Sequence, residues 1–231
     1  MDWPEAIEQL AVSIVKIATP RGSGTGCIIS CSKESQLFGI ATAAHVVNQA
    51  HYWDELIRIE HPATNQSIVL SHTQRSIILA EHRDTAVIVF AGDHKLLPNY
   101  NLPLVPEQMN LKVGCEVGWL GFPVVSPNNL CFFTGRVSCW IESHHAYLID
   151  GVSINGVSGG PVFHLGEKFP VITGVVSAYL PNRLAGDSLP GLSVVRDVEQ
   201  FHDIAKRFAS LDDAKKHESA PEAPPESDKK Q

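Results

Sequence analysis

No run in the 231 residues approaches the roughly 18 consecutive apolar residues that a membrane-spanning helix needs. The N-terminal stretch also lacks a basic segment followed by a continuous apolar one, because Asp2, Glu5, Glu8 and Lys16 interrupt it. Neither a secretory leader nor a membrane partner is therefore expected, and a cytoplasmic location is. No basic cluster of the kind that tracks a phosphate backbone occurs, and the net charge is −7, which excludes nucleic acid as an expected partner. Five cysteines, at 27, 31, 115, 131 and 139, form an odd set without a repeated spacing, which points to reduced thiols. Only Cys131 and Cys139 suggest a pair, facing each other across a hairpin. His144, His145 and His164 have no metal-binding spacing to a nearby cysteine or carboxylate, so no metal and no cofactor is expected.

Helical periodicity is also missing between the two ends. Trp3 to Leu10 reads as a short helix with Asp2 as N-cap and Pro4 in its first turn. Val198, Phe201, Ile204, Ala205 and Phe208 recur at three- and four-residue steps behind Asp197, which places a second helix over 197–210. What lies between is a series of some thirteen short β-branched runs broken by Gly, Pro, Asn and Ser, the pattern of an all-β barrel or sandwich pair. A Pro- and Asn-rich stretch at 92–110 divides it into similar halves. The expected organisation is an N-terminal helix and first β unit over 1–95, a linker over 96–110 and a second β unit over 111–196. The C-terminal helix follows, and then a charged, Pro-rich tail over 211–231 that has too little apolar surface to order itself.

The chemistry centres on INGVSGGPVF, residues 154–163. Gly156, Gly159 and Gly160 allow a tight loop that aims Ser158 outward and turns the amides of Gly156 and Ser158 toward one point, as an oxyanion hole requires. A glycine-rich hairpin turn is the alternative. A serine hydroxyl is a weak nucleophile until a base takes its proton. His45 is the candidate base: in GIATAAHVV an apolar strand leads to Thr42, and two alanines form a small-residue turn before the ring. A carboxylate at the head of an apolar strand would orient the imidazole, and HRDTAVIVF supplies Asp84. Asp84 could instead only cap a turn.

In the order TAAH, DTAV, GVSGGP, these motifs resemble the trypsin/chymotrypsin-like serine peptidase clan. GSGTGCIIS (22–30), VGWLGFP (117–123), FFTGRVS (132–138) and VITGVVSA (171–178) are similar to framework strands of its HtrA/Deg-like branch. The likeness spans about residues 10–200, without a PDZ module after it. It implies two antiparallel six-stranded barrels with the active site in the cleft between them. The implied roles are His45, Asp84 and Ser158 as catalytic triad, Gly156 and Ser158 as oxyanion hole, and Ser177 as a further donor to Asp84. Substrate would pair with the backbone of 177–179, including Ala178, and Val152 and Ser153 would form the base of the specificity pocket. Tyr179 would narrow its mouth and Gly191 would leave one wall open.

Two departures refine that picture. Digestive relatives carry Asp where this chain has Val157, so their zymogen switch is absent. The oxyanion loop is then ordered by packing, by an activating protein partner or by a homo-oligomer. An uncharged base at Val152, with Val176 in place of a histidine, predicts cleavage after small or medium aliphatic residues of a protein or peptide. The rival readings are a latent or inactive peptide-binding module of the same fold, and an esterase, although α/β-hydrolases use the opposite order of triad residues.

Overall fold

The computed structural model describes residues 1–32, 36–92, 102–184 and 187–218, with backbone alone at 181–190 and 217–218. Thirteen strands and three α-helices make up the described residues. Helix α1 (Trp3–Ala11) begins with a reciprocal capping box, in which Asp2 accepts from the Glu5 amide and Glu5 accepts from the Asp2 amide. Strands β1 (Ile14–Thr19), β2 (Gly22–Ser32), β3 (Leu37–Thr42), β4 (Ile57–His61), β5 (Gln66–Leu70), β6 (Arg75–Ala80) and β7 (Thr85–Ala91) form one antiparallel sheet in the order β5-β4-β1-β2-β3-β7-β6. Strands β8 (Glu116–Gly121), β9 (Cys131–Ile141), β10 (Ala146–Asp150), β11 (Pro161–Leu165), β12 (Pro170–Leu184) and β13 (Asp187–Arg196) close into a six-stranded barrel.

Of the two six-stranded barrels expected, the second half alone is one. The first half is a seven-stranded sheet that stays open, because β5 and β6 share no ladder among the described residues. Arg75, the first residue of β6, occupies the seam. Its guanidinium donates to the carbonyls of Leu70, Ala50 and Glu55 at 2.6, 2.9 and 2.6 Å, so one side chain ties the end of β5 to α2 and the loop after it.

A third helix, α2 (Ala44–Tyr52), lies where the sequence suggested only a small-residue turn. Its buried positions are Ala44, Val47 and Ala50, two of them alanines, so its apolar face has little contrast with the polar residues around it. At the other end, α3 (Glu199–Glu218) runs eight residues beyond 210, into the charged segment. There Ser32 donates to the Asp212 carboxylate. Residues 219–231 lie outside the described residues, as do residues 96–101 of the expected linker. Cys131 and Cys139 are both on β9, eight residues and roughly 26 Å apart on an extended strand, so the suggested pairing is ruled out.

Separate apolar cores fill the sheet (Val15, Ile17, Ile28, Phe38, Ile40) and the barrel (Val117, Trp119, Val137, Val162, Val195). A third cluster joins the two halves through Leu10 of α1, Cys27 and Ile29 of β2, Phe163 of β11 and Phe201, Ile204 and Phe208 of α3. This is why β2 is buried on both faces from Gly24 to Ser32. No helix among the described residues is long and apolar enough to cross a membrane.

Candidate active site

His45 is in the first turn of α2. The residue before the helix, Ala43, has no capping side chain, so the amides of that turn need acceptors from elsewhere. Asp84 supplies them. Its carbonyl accepts from Ala44 N at 3.2 Å, and its Oδ1 accepts from His45 N at 3.0 Å. The same carboxylate faces the imidazole, with His45 Nδ1 at 3.0 Å from Oδ1 and 2.9 Å from Oδ2. An ionised carboxylate only accepts, so Nδ1 carries the proton and Nε2 presents a lone pair. Ser177 Oγ donates to Asp84 Oδ2 at 2.5 Å. Burial pushes the Asp84 carboxyl up, but the hydrogen bonds from His45 and Ser177 outweigh it and hold it below the usual carboxylate range.

Ser177 reaches Asp84 because β12 is bulged. Val176 pairs with Val195 and Ala178 with Val194, which leaves Ser177 as the extra residue, and such a bulge re-aims a side chain. Asp84 itself sits at φ 48°, ψ 43°, the left-handed residue that ends the 3₁₀ turn Glu81–Arg83.

Ser158 lies in the turn before β11, half-buried. That turn is docked on the first half of the molecule: Ser158 O accepts from Thr25 N at 2.8 Å, and Gly156 O accepts from Thr25 Oγ1 at 2.8 Å. Gly159, at φ +82°, has no room for a side chain, since a Cβ there would overlap Thr42 Oγ1 and Thr25 O and lie 2.9 Å from Ala43 N. The Ser158 turn therefore packs against the residues that lead into α2 and His45. Among the described residues no hydrogen bond joins Ser158 Oγ to the His45 ring.

Two peptide planes in this turn have their carbonyls tied down. Asn155 O accepts from Val124 N at 2.8 Å, and Val157 O accepts from Gly160 N at 2.9 Å. Among the described residues no peptide is cis, so the N–H groups of Gly156 and Ser158 point the opposite way from those carbonyls. Gly156 adopts φ +94°, and a Cβ there would overlap Phe122 O. Val157 is fully buried in the barrel core, so packing holds the turn within this single chain.

Around Ser158, Val152 is 45% exposed, while Ser153 is buried and donates to Ala178 O at 3.3 Å. Tyr179 Oη accepts from Gly191 N at 2.5 Å, so its ring bridges toward the wall that the sequence left open at Gly191. The ladder between β11 and β12 ends at Pro161 and Val175, with one further pair of bonds between Val176 and residues 159–160. Beyond it β12 runs on along the same edge, where Ala178 is exposed.

A second polar cluster stands behind Asp84, and sequence reasoning missed it. His145 Nδ1 is 3.3 Å from Asp197 Oδ2 and 3.2 Å from Glu199 Oε2, carboxylates some fifty residues away along the chain. Their ligand atoms lie within 4.8 Å of one another, a grouping that could hold a cation. The Arg83 guanidinium already stands there, with Nη1 2.6 Å from Glu199 Oε2 and 3.9 Å from Asp197 Oδ1. Burial pushes the Asp197 carboxyl up despite these partners. The local spacing of His145 gave no hint of this cluster, because the fold brings its carboxylates from the start of α3.

No protein-family profile and no curated protein matches the chain. Solved structures do. The inactive form of Rv3671c from M. tuberculosis H37Rv, a serine-to-alanine mutant, is 18% identical, covering 89% of this chain and 90% of that one, with a TM-score of 0.58. Deg5 is 17% identical, covering 88% and 94%, at 0.64. The serine endoprotease from Yersinia pestis is 16% identical, covering 91% and 67%, at 0.65. The fold is that of trypsin-like serine proteases. Within this fold the closed barrel carries Ser158 and Ser177, and the open sheet carries His45 and Asp84.

Proposed function

We propose that the chain is a serine endopeptidase that cleaves protein or peptide substrates with His45, Asp84 and Ser158. The observation that carries this reading is the bond from His45 Nδ1 to a carboxylate that is also held by Ser177. That arrangement leaves the Nε2 lone pair to act as the base toward Ser158 in this reading. In the reaction, His45 takes the Ser158 proton as Oγ attacks the scissile carbonyl, and the amides of Gly156 and Ser158 receive the oxyanion. His45 then protonates the leaving amine. Water reverses the steps and releases the acyl group, while Asp84 stabilises the transient imidazolium throughout. The open edge of β12 at 177–180 would take the substrate backbone as an added strand. Val152 and the Tyr179–Gly191 wall favour small or medium aliphatic side chains in the specificity pocket. No metal or cofactor takes part in this scheme.

A fluorophosphonate probe tests it. Labelling of the wild-type chain that vanishes in Ser158→Ala supports the peptidase, and a peptide library compared between the two chains reads the preference. Cleavage mainly after Lys, Arg or Glu would sink the aliphatic assignment. The missing bond between Ser158 and His45 favours a second reading, a latent peptide-binding module that awaits a partner, although such bonds often tighten only with substrate. A folded chain that never labels but binds extended peptides would establish that second reading.

A further inference from the structure

Asp84 holds a left-handed backbone conformation that a non-glycine residue adopts at a cost and that its surroundings help to impose. Both flanking residues are held by α3. On one side, Arg83 Nη1 donates to Glu199 Oε2 at 2.6 Å, and its other terminal nitrogen stands 3.5 Å from His145 Nε2. On the other, buried Thr85 donates to the Gln200 side-chain oxygen, and Gln200 Nε2 donates onward to Ile78 O of β6 at 3.3 Å. Glu199 and Gln200 are consecutive, the first two residues of the helix. The helix is itself anchored by Phe201, Ile204 and Phe208, buried in the core that joins the two halves. His145, from the turn between β9 and β10, braces Glu199 from the barrel side.

We propose that the first turn of α3 is a clasp that positions Asp84, with Glu199 acting through Arg83 and Gln200 acting through Thr85. This rests on the reading of His45, Asp84 and Ser158 as a triad. Neither Glu199 nor Gln200 touches His45, Ser158 or the place of the substrate, so both are positioning residues rather than catalytic ones. With the clasp intact, the 3₁₀ turn presents the Asp84 carboxylate to three donors at once: His45 N, His45 Nδ1 and Ser177 Oγ. Without it, the turn can relax toward a right-handed conformation and swing the carboxylate off the imidazole. Fewer molecules then hold His45 in the tautomer that can accept the Ser158 proton. The loss falls on the chemical step and not on substrate affinity, because the clasp and the β12 edge are separate surfaces.

The test uses the full chain and the variants Glu199→Ala/Gln200→Ala, Thr85→Val and Thr85→Ser, with Lys206→Ala as control. Lys206 pairs with Glu107 further along the same helix and has no contact with the Asp84 turn. Two readouts are needed: the downfield proton resonance of His45 Nδ1, and the rate of fluorophosphonate labelling. The double variant is expected to lose or broaden the resonance and to label about tenfold more slowly with unchanged apparent affinity, a change worth about 1.4 kcal/mol. Thr85→Val should lose part of both, and Thr85→Ser, which keeps the hydroxyl, should restore them. Should the double variant fail to fold, the Thr85 pair decides alone. A folded double variant with the resonance and the rate of wild type overturns the proposal, and so does a Lys206→Ala chain impaired to the same degree. If wild type shows the resonance but never labels, the peptidase reading fails on its own. The clasp is then judged by whether the double variant loses that resonance (support) or keeps it (refutation).

Discussion

Replacing Asp84 by Asn exchanges one carboxylate oxygen for an NH₂ group and should disable the site through the tautomer of His45. The amide oxygen has to take the Oδ1 position, because the opposite orientation would aim the NH₂ at the backbone N–H of His45, which now donates to Oδ1 at 3.0 Å. The NH₂ then occupies the Oδ2 position, 2.9 Å from His45 Nδ1. Two donors cannot face each other at that distance, so the imidazole moves its proton to Nε2 and Nδ1 becomes the acceptor. Nε2 can no longer take the Ser158 proton. The expected loss in labelling rate at neutral pH is on the order of 10⁴-fold, about 5 kcal/mol of barrier. Stability changes less. Three bonds to a carboxylate become bonds to an amide, a loss of very roughly 1 kcal/mol each, offset in part because no charge is buried, for a net of about 2 kcal/mol. The pH dependence has a definite sign. The folded Asp84 carboxyl lies below its unfolded value of about 4, so its contribution is fully present above that pH and is lost as pH falls through the folded value. Urea unfolding of both chains from neutral pH down to about pH 3 should therefore show a shallower acid decline in Asp84→Asn. A variant that labels at the wild-type rate, or declines in acid as steeply, refutes the argument.

Three further outcomes follow from the same packing. Gly159→Ala should lower stability by about 3 kcal/mol or more, read as a fall in melting temperature, because the new Cβ meets Thr42 Oγ1 and Thr25 O at a φ suited to glycine. It should also abolish labelling, and a stable, labelled variant would show that the turn can move away from β2. Tyr179→Phe removes the acceptor for Gly191 N, costs about 1 kcal/mol, and should extend cleavage to bulkier residues in a peptide library; an unchanged profile would remove Tyr179 from the pocket wall. Burial raises the Cys27 thiol far above its ordinary range, so Cys27 should resist iodoacetamide in the native chain and react in urea, which mass spectrometry of the tryptic peptide can follow. Native-state alkylation would contradict its place in the core.

The sequence made the strands legible because their signal is local: a β-branched run, then a Gly, Pro or Asn break, as in the paired runs that became β6 and β7. Ser158, His45 and Asp84 stood out as candidates for the same reason, since each stands in a short motif whose residue types state a chemical need. The misses share a different cause. Helix α2 hides because alanine serves as its buried face and because Asp84, thirty-nine residues away from His45, caps it. The openness of the first sheet rests on which strand ends meet, with Arg75 bonded to three carbonyls on separate segments beside β5, and no single strand's pattern states that. The bulge at Ser177 is a register shift against β13, and no single strand contains that information.

What placed the site was therefore a set of long-range polar bonds, and they converge on the turn that carries Asp84. His45 and Ser177 fix its carboxylate, Ala44 takes its carbonyl, and Glu199 and Gln200 hold its neighbours. Ser158, by contrast, is set mainly by close packing, with Val157 sunk in the barrel and Gly159 pressed on β2. One half of the candidate triad is thus held by hydrogen bonds that a change of partner or helix position can release. The other is held by a core that cannot shift without unfolding. The Asp84 turn is therefore the part of the candidate site that substitutions at the start of α3 reach, while the burial of Val157 fixes the Ser158 turn to the barrel.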